Sequence, residues 1–520
     1  MVWILRTRWL VLRSAAMNPE PSINRQSIVP AFLWDKDTGP LGKSRSIPKW
    51  LPLLVGLVLA VPLASLIANE AWYLAVVVAL AVPAIVLLSR CPFVAVMAWL
   101  LLLPYFLSTP TVAERAMYWV LHRAMIPGAL GLAIVSGWLG ARSSRKIRLA
   151  GAEMAMLIFL GLAVVNVLLW SQDQTQGLIT LYDRVFVPFC AYYLIRATSP
   201  GEKDLKRLLW VALVTLVSQC AISLLTWFAP QTLPAQLLHR TLGARTVGSL
   251  GNTAVYTSTL LFLTLLLYQY AMDARSKLVR YTIFGSFALA IFCVFISFSR
   301  ASWLGCSMVL LGLVFLYPRT TLRLLIILGV TACALGASLF ADEVAWAYER
   351  LSSEAAQRSV QNRVLVTNAL VGMIRAKPLF GWGYGDHQLY SPQFMTSVGD
   401  IAVARYYSIG SHNTYLTIMA ELGIPALFPY LWPALWWLIH SMKVRRRLPL
   451  EGFVGRRMLA ILWLVMLYMF VVTNFMDMTI LPFGTTVWWI VLGLIANMVY
   501  PDLKTNGIGL PGSVRESIEA

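Results

Sequence analysis

The chain has 520 residues, of which 59% are hydrophobic and only 12% are charged, and its mean hydropathy is +0.70. This composition is typical of a polytopic membrane protein and excludes a large soluble domain. The formal net charge of +19 would suggest a nucleic-acid partner in a soluble protein, but here the basic residues lie in short loops between apolar segments, so we expect no nucleic acid.

The N-terminal region, residues 1–49, is polar, basic and proline-containing, and we interpret it as a cytoplasmic tail. We expect no cleavable signal peptide, because the short apolar run Met1–Leu12 is interrupted by Arg6 and Arg8. All six cysteines fall in or beside apolar segments, so the sequence predicts neither a disulfide framework nor a zinc site.

Apolar segments follow at membrane-spanning spacing through residues 50–340 and again through residues 412–500. With about 20 apolar residues needed per span, we predict an all-α protein with about 14 transmembrane helices. Their predicted positions are 50–67, 71–89, 91–108, 117–140, 150–170, 181–197, 208–229, 253–271, 281–299, 301–318, 322–340, 413–440, 458–476 and 482–500. Residues 341–411 form a long loop, and residues 501–520 form a second cytoplasmic tail.

The basic loops all fall on one side of this topology, which the positive-inside rule assigns to the cytoplasm. The long loop 341–411 then lies on the outer face, and a loop of about 70 residues in a compact protein is usually functional. Within it, Gln361–Lys377 is amphipathic and ends before Pro378, so we predict a helix on the membrane surface. The glycine-rich segment Gly381–Gly385 predicts a turn after that helix.

Directly after the long loop, a polar segment with a histidine leads into an apolar run. Ser411 suits an N-cap, so we predict that a transmembrane helix begins at His412. A helix N-terminus disfavours imidazolium and attracts phosphate, so we expect a neutral imidazole beside a phosphate site. The alternative is a histidine that lies at the membrane interface and has no chemical role.

Several arginines map to the outer ends of predicted helices. An arginine at membrane depth costs about 2.5–3.5 kcal/mol on insertion scales, so we expect such arginines to have a function. Guanidinium groups gathered at one face would suit a diphosphate, since each can bind phosphate oxygens with two hydrogen bonds. The alternative is that each arginine extends to the interface or caps a helix, an interpretation that applies most to Arg123, Arg196 and Arg363. The acidic residues, including Asp183 and Asp477, are isolated in sequence, so we expect no metal and no cofactor.

The histidine segment carries a family resemblance. His412-Asn413, followed after nine further residues by Gly423, resembles the signature of the O-antigen ligase and O-antigen polymerase superfamily of bacterial envelope enzymes. Three other segments are similar to motifs of that family: the helix and glycine turn from Arg363 to Gly385, Ser299–Ser302, and Arg245 with Gly248, Gly251 and Asn252. Ala426 and Pro188 depart from the family pattern.

The resemblance implies a C-type glycosyltransferase architecture in the bacterial inner membrane, with an active site that faces the periplasm and uses no metal. The donor would be a glycan on undecaprenyl diphosphate. His412 would activate the acceptor hydroxyl, while Arg184, Arg245 and Arg300 would hold the diphosphate. The secondary candidates are Asn413, Tyr415, Arg363 and Asn252.

The acceptor decides the finer activity, and the sequence leaves it open. A polymerase extends another lipid-linked repeat unit, which the N-terminal tail, the span count and Ala426 favour, whereas a ligase uses lipid A-core. Two further classes of protein also fit the sequence, namely a flippase for lipid-linked glycans and a non-catalytic scaffold. The expected partners are the lipid-linked donor, the bilayer and other polysaccharide-assembly proteins.

Overall fold

The computed structural model describes residues 83–107, 111–138, 149–234, 237, 245–338, 354–395, 410–450 and 452–499. Over these ranges the chain is a bundle of helices joined by turns and loops. Eight helical segments in the described ranges are long and apolar enough to cross a membrane. The described part of the chain is therefore helical and consistent with a multi-pass membrane protein, with eight candidate spans against the fourteen predicted.

Residues 83–90 are helical and lead into the numbered helices of the N-terminal half. Two stretches of π-helix join helices into longer segments: Trp119–Ala124 links α2 to α3, and Tyr182–Phe186 links α5 to α6. The helices of this half are α1 (Val94–Leu102), α2 (Val112–Tyr118), α3 (Met125–Trp138), α4 (Gly151–Trp170), α5 (Gln174–Leu181), α6 (Val187–Thr198) and α7 (Glu202–Phe228).

The C-terminal half contains the segment predicted as a long outer loop. Two of its helices, α12 and α13, lie in that predicted loop, of which the structure describes 354–395 and 410–411. The helices are α8 (Thr253–Asp273), α9 (Lys277–Phe295), α10 (Arg300–Leu316), α11 (Pro318–Ser338), α12 (Glu354–Ala376), α13 (His387–Tyr390), α14 (Thr414–Leu422), α15 (Ile424–Val444), α16 (Arg456–Thr473) and α17 (Pro482–Val499).

Two helices occupy the centre of the bundle. Helices α8 and α17 are buried over 89% of their apolar segments, whereas α9 is buried over only 33%. A helix that is apolar on all sides is stable only when other apolar groups surround it, so α8 and α17 pack inside and the outer helices present apolar side chains to lipid. The loops that carry polar residues lie at the two ends of this helical core.

Basic residues from different loops meet at one end of the bundle. Lys206, near the start of α7, and Arg275, in the turn before α9, line the same cavity. Arg457 at the start of α16 stacks over the ring of Tyr317 at a distance of 5.1 Å. The loops before α8, α10, α14 and α17 are at the other end, which we call the outer end.

The helix predicted at Gln361–Lys377 is present as α12 and begins earlier than the sequence indicated, at Glu354, while its position on the membrane surface stays a prediction. Its apolar residues recur at helical spacing and are buried against the turn 391–395 and α14. They are Leu365, Val366, Ala369, Leu370 and Met373. The helix ends at Ala376, just before Pro378, as a proline requires.

The single predicted span at 413–440 is wrong. The chain forms a short helix, α14, and then a separate helix, α15, with a break at Gly423. Gly423 has a φ of 89°, a backbone conformation that glycine adopts readily and other residues rarely do. The apolar run 413–440 does not reveal this break, because hydropathy is high on both sides of Gly423 and carries no information about backbone dihedral angles.

Candidate active site

His412 lies in a loop at the outer end, one residue before the cap of α14. The predicted N-cap at Ser411 is wrong: Asn413 caps the helix, and its Oδ1 accepts hydrogen bonds from the backbone N–H groups of Tyr415 and Leu416, both at 3.0 Å. The Ser411 hydroxyl instead donates to Asp477 at 2.8 Å. His412 itself has a φ of 55°, in the left-handed region that few residues other than glycine adopt, and its side chain is half-buried.

The surroundings of His412 favour a neutral imidazole. Burial is the largest effect that lowers the pKa of His412 below its usual value, and the positive charges of Arg363 and Arg245 lower it further. The negative charge of Asp477 acts in the opposite direction without reversing the shift. The direction of this shift agrees with the neutral imidazole predicted from the sequence, although its causes are burial and the arginines and not the helix N-terminus.

Asp477 is a residue that sequence reasoning missed. It follows α16, is completely buried, and accepts four hydrogen bonds on its carboxylate. The donors are the hydroxyls of Ser411 and Thr417, each at 2.8 Å, and the N–H and hydroxyl of Thr479. Four donors fix this carboxylate beside the histidine loop. Asp477 had no partner in its own sequence neighbourhood, so only the folded chain reveals its place.

The structure separates the three arginines predicted to bind diphosphate. Arg245 acts electrostatically on His412, and Arg300 acts on Arg363, which in turn acts on His412. Arg363, a secondary candidate in the sequence, therefore links this group. Burial and the nearby charge of Arg300 lower the pKa of Arg363, which is the condition of a cation held close to another cation.

Arg184 belongs to a neighbouring group. It lies in the π-helical stretch between α5 and α6, and its charge acts on Tyr384 and His387. Asp477 acts on His412, Tyr384 and His387, so it joins the two groups electrostatically. Stretches of π-helix often occur at functional sites, because the extra residue redirects the side chains that follow.

The other secondary candidates have structural roles. Asn252 caps α8, and its Oδ1 accepts from the N–H groups of Ala254 and Val255. Asn413 caps α14, and the hydroxyl of Tyr415 shares a hydrogen bond with Thr473 at 2.8 Å. The side chains of these three residues are hydrogen-bonded within the protein, so their role is to hold the site's backbone and helices in place.

The spacing between His412-Asn413 and Gly423 has a structural cause. The nine residues of α14 separate the loop from the break, and the glycine turn lies against that break. Trp382 and Gly383 donate backbone hydrogen bonds to the carbonyls of Ala420 and Glu421, at 3.0 and 3.1 Å, and Ile424 donates to the carbonyl of Pro378 at 2.8 Å. We call this contact between 378–383 and 420–424 the backbone seam.

Glycine is required on both sides of the backbone seam. A Cβ atom at Gly381 would lie 2.3 Å from the carbonyl carbon of Glu421, and one at Gly423 would lie 2.2 Å from the carbonyl oxygen of Leu379. Asn166 of α4 holds the same turn, with its amide donating to the carbonyl of Phe380 at 2.6 Å. The turn is therefore fixed relative to α14 and to the membrane bundle.

His387, at the end of the glycine turn, is buried and paired with Glu421. Its Nδ1 lies 2.6 Å from the Glu421 carboxylate. His122, in the π-helical stretch between α2 and α3, is buried between Trp99, whose indole N–H donates to it, and the carbonyl of Asp183. His122 is thus a satisfied structural histidine, and His239 lies outside the described residues.

Within the described ranges, no three histidine, cysteine, aspartate or glutamate side chains are grouped in a way that could hold a metal ion. The cations that gather at the outer end, including Arg245, Arg300 and Arg363, suit an anionic ligand.

The comparison with known families gives a match to this part of the chain. The family model described as O-Antigen ligase matches residues 285–431. That segment is similar to the O-antigen ligase family. It runs from α9 to α15 and contains Arg300, Arg363, the backbone seam and His412. The superfamily recognised from the sequence is therefore confirmed, whereas a search of curated proteins gives no match.

The family match covers only part of the candidate site described above. Arg184, Arg245 and Asp477 lie before or after the matched residues and reach the same outer end through the fold. The matched family consists of glycosyltransferase-like enzymes of the ligase and polymerase type.

Proposed function

We propose that this protein transfers a glycan from undecaprenyl diphosphate to an acceptor sugar at the periplasmic face of the bacterial inner membrane. One observation carries the proposal most directly: a half-buried His412, kept neutral by burial and neighbouring arginines, lies in the signature segment of an O-antigen ligase domain. A neutral imidazole can accept a proton from a sugar hydroxyl, which is the group that must attack the donor.

In the proposed reaction, the acceptor hydroxyl loses its proton to His412 as its oxygen bonds to the anomeric carbon of the donor. The bond from that carbon to the diphosphate oxygen breaks, and the diphosphate leaves with the electron pair. Arg245, Arg300 and Arg363 stabilise the charge that develops on the leaving group. Asp477 stabilises the imidazolium that forms, since its negative charge favours the protonated state.

The orientation completes the proposal. The basic loops meet at one end of the bundle, which we assign to the cytoplasm with both termini, so the site at the outer end faces the periplasm. We assign the donor and the bilayer as partners, together with other polysaccharide-assembly proteins.

The direct test is glycan transfer by His412→Ala and His412→Gln in membranes that contain normal amounts of protein. Loss of the base costs roughly 10²–10⁴-fold in rate. His440→Gln is the matched control, because His440 lies at the other end of α15 and stacks on Trp436. Wild-type transfer by both His412 variants would overturn the proposal.

The acceptor is tested with a defined polyprenyl-diphosphate oligosaccharide. We propose repeat-unit polymerisation for an exopolysaccharide or O-antigen, in which case the lipid-linked glycan grows without further additions. Reaction only after lipid A-core is added would assign the protein as a ligase, the description that the matched family carries. A flippase would keep moving lipid-linked glycan across the membrane in the His412→Ala variant.

A further inference from the structure

A second buried histidine stands beside the proposed site and takes no part in the transfer step. His387 and Glu421 are each only 2% exposed, and their side chains meet at 2.6 Å. The backbone N–H of His387 also faces the same carboxylate oxygen at 3.4 Å. The ring is therefore fixed at its Nδ1 edge, which leaves its Nε2 edge pointing away from Glu421.

Polar groups without partners gather around this ring. The Nε2 atom of His387 and the hydroxyl of Tyr384 are both buried and have no hydrogen-bond partner within the described ranges. Arg184 acts electrostatically on both residues, and within the described part of the chain its guanidinium makes no hydrogen bond or ion pair. Buried polar groups are nearly always paired in folded proteins, so the two unpartnered atoms of Tyr384 and His387, beside the half-buried cation Arg184, favour an anionic ligand.

We propose that Arg184, Tyr384 and His387 form a second phosphate subsite, in which His387 donates its Nε2–H to an oxygen of the lipid diphosphate. This proposal rests on the proposed function and names the groups that receive the part of the diphosphate not held by Arg245, Arg300 and Arg363. Glu421 is the positioning residue, since it holds the imidazolium form of His387 and aims the free N–H.

The charges around His387 agree with a donor role. Burial alone lowers the pKa of His387, but the hydrogen bond and negative charge of Glu421, together with Asp477, raise it above its usual value against the opposing charge of Arg184. A protonated imidazole has N–H groups at both ring nitrogens, so one serves Glu421 while the other serves the ligand.

The two histidines therefore carry opposite shifts. The pKa of His412 is lowered by burial, Arg363 and Arg245, whereas that of His387 is raised through Glu421 and Asp477. Two titrating groups whose surroundings move their pKa values apart can divide base and acid roles between them. At a pH between the two pKa values, His412 is neutral and can accept a proton, while His387 is protonated and can donate one.

The fold prepares this subsite before any ligand binds. Tyr384 and His387 follow the backbone seam, and the backbone N–H of Tyr384 donates to the side chain of Asn166 at 2.8 Å. Because α4 and α14 both hold the turn, its side chains lose little freedom when phosphate arrives. Arg184 is supplied from the π-helical stretch on the membrane bundle.

The test is ligand binding by the purified full-length protein in lipid nanodiscs, with glycan-free undecaprenyl diphosphate and inorganic pyrophosphate as separate probes. Affinities are measured across pH values on both sides of the ordinary histidine pKa of about 6.5. We expect His387→Gln to weaken binding by roughly 10–100-fold at the lower pH values and to remove the loss of affinity as pH rises, since a bond to a charged group is lost.

Two milder variants separate binding from folding. Tyr384→Phe removes only a hydroxyl and should weaken binding by about 2–10-fold. Glu421→Gln should shift the pH profile to lower pH, because the negative charge that raises the pKa of His387 is gone. His440→Gln, at the opposite end of the bundle, should change neither affinity nor profile, and thermal unfolding is recorded for every variant.

The outcomes distinguish this subsite from the proposed function. If His387→Gln keeps both wild-type affinity and the wild-type pH profile, the subsite is wrong, whatever the His412 variants do in transfer. A pH profile that depends on His387, combined with normal transfer by His412→Ala, would support the subsite and reject the transfer mechanism. Equal binding of glucuronate would overturn the assignment to phosphate, as would the absence of pyrophosphate and lipid diphosphate binding to the wild type.

Discussion

Two groups of arginines differ in what balances their charge. Arg123 and Arg196 are neutralised within the protein: Arg123 makes two hydrogen bonds of 2.7 and 2.6 Å to Asp183, and Arg196 lies 3.4 Å from Glu153. Arg300 and Arg363 at the outer end make no ion pair in the described ranges, and instead lie near one another.

The difference teaches how to separate structural from ligand-binding arginines in a membrane protein. A charge at membrane depth needs a counter-charge, and a protein that supplies one internally uses the pair for packing. Two guanidinium groups that lie near one another repel, and an anionic ligand between them would relieve that repulsion. The two groups therefore predict opposite responses to mutation.

The largest effect is expected for the internal pair. Arg196→Met leaves Glu153, which is fully buried, without its cation, and breaking a buried pair costs about 3–5 kcal/mol. Thermal unfolding in detergent measures the loss. The double variant Arg196→Met with Glu153→Gln should recover much of it, and no recovery would mean that the pair is not what stabilises this region.

Arg363→Ala should show the opposite pattern. We expect transfer to fall by roughly 10²–10³-fold, the cost of removing one group that stabilises developing charge, while thermal stability is kept. Rates are compared at equal membrane protein levels, with Arg363→Lys as the variant that keeps the charge. A destabilised protein with near-normal turnover would place Arg363 in the structural group.

The pH dependence links the arginines to the histidine. Transfer should fall about tenfold for each unit that the pH drops below the lowered pKa of His412, because the imidazole must be neutral to act as a base. In Arg363→Ala this acidic limb should move to higher pH, since one of the charges that lower the pKa is removed. An unmoved limb would show that Arg363 does not act on His412.

The smallest effect is expected at a helix cap that sequence reasoning counted among candidate site residues. Asn252→Ala should cost about 1 kcal/mol of stability, because the cap of α8 is lost. Asn252→Asp keeps a carboxyl oxygen for the same N–H groups and should restore stability. A loss of ligand affinity that Asn252→Asp fails to restore would move Asn252 from the cap to the site.

Most of the membrane helices could be predicted from the sequence, because an apolar segment of spanning length has few other stable structures. The segments predicted at 150–170, 253–271 and 482–500 agree closely with α4, α8 and α17. The predicted positions 1–82, 339–353, 396–409 and 500–520 lie outside the described residues, so the tails and two segments at the edges of the long loop stay predictions.

The candidate site was only partly predictable, because several of its residues come together only when the chain folds. His412 and Arg363 could be found because they lie within one motif-bearing segment. Asp477 and the pair His387–Glu421 could not, since their partners are far away in sequence and no local pattern marks them. The helix start was misplaced because Ser411 and Asn413 are both good caps, and the competing bond to Asp477 decides between them.

The backbone seam has a further consequence for how such a protein can diversify. Its hydrogen bonds join main-chain N–H and carbonyl groups, and apart from the glycines they place no demand on side-chain identity. The backbone seam that holds the glycine turn against α14 can thus stay constant while nearby side chains are exchanged to admit differently shaped sugars. New glycan specificities become accessible through substitutions that leave this scaffold intact.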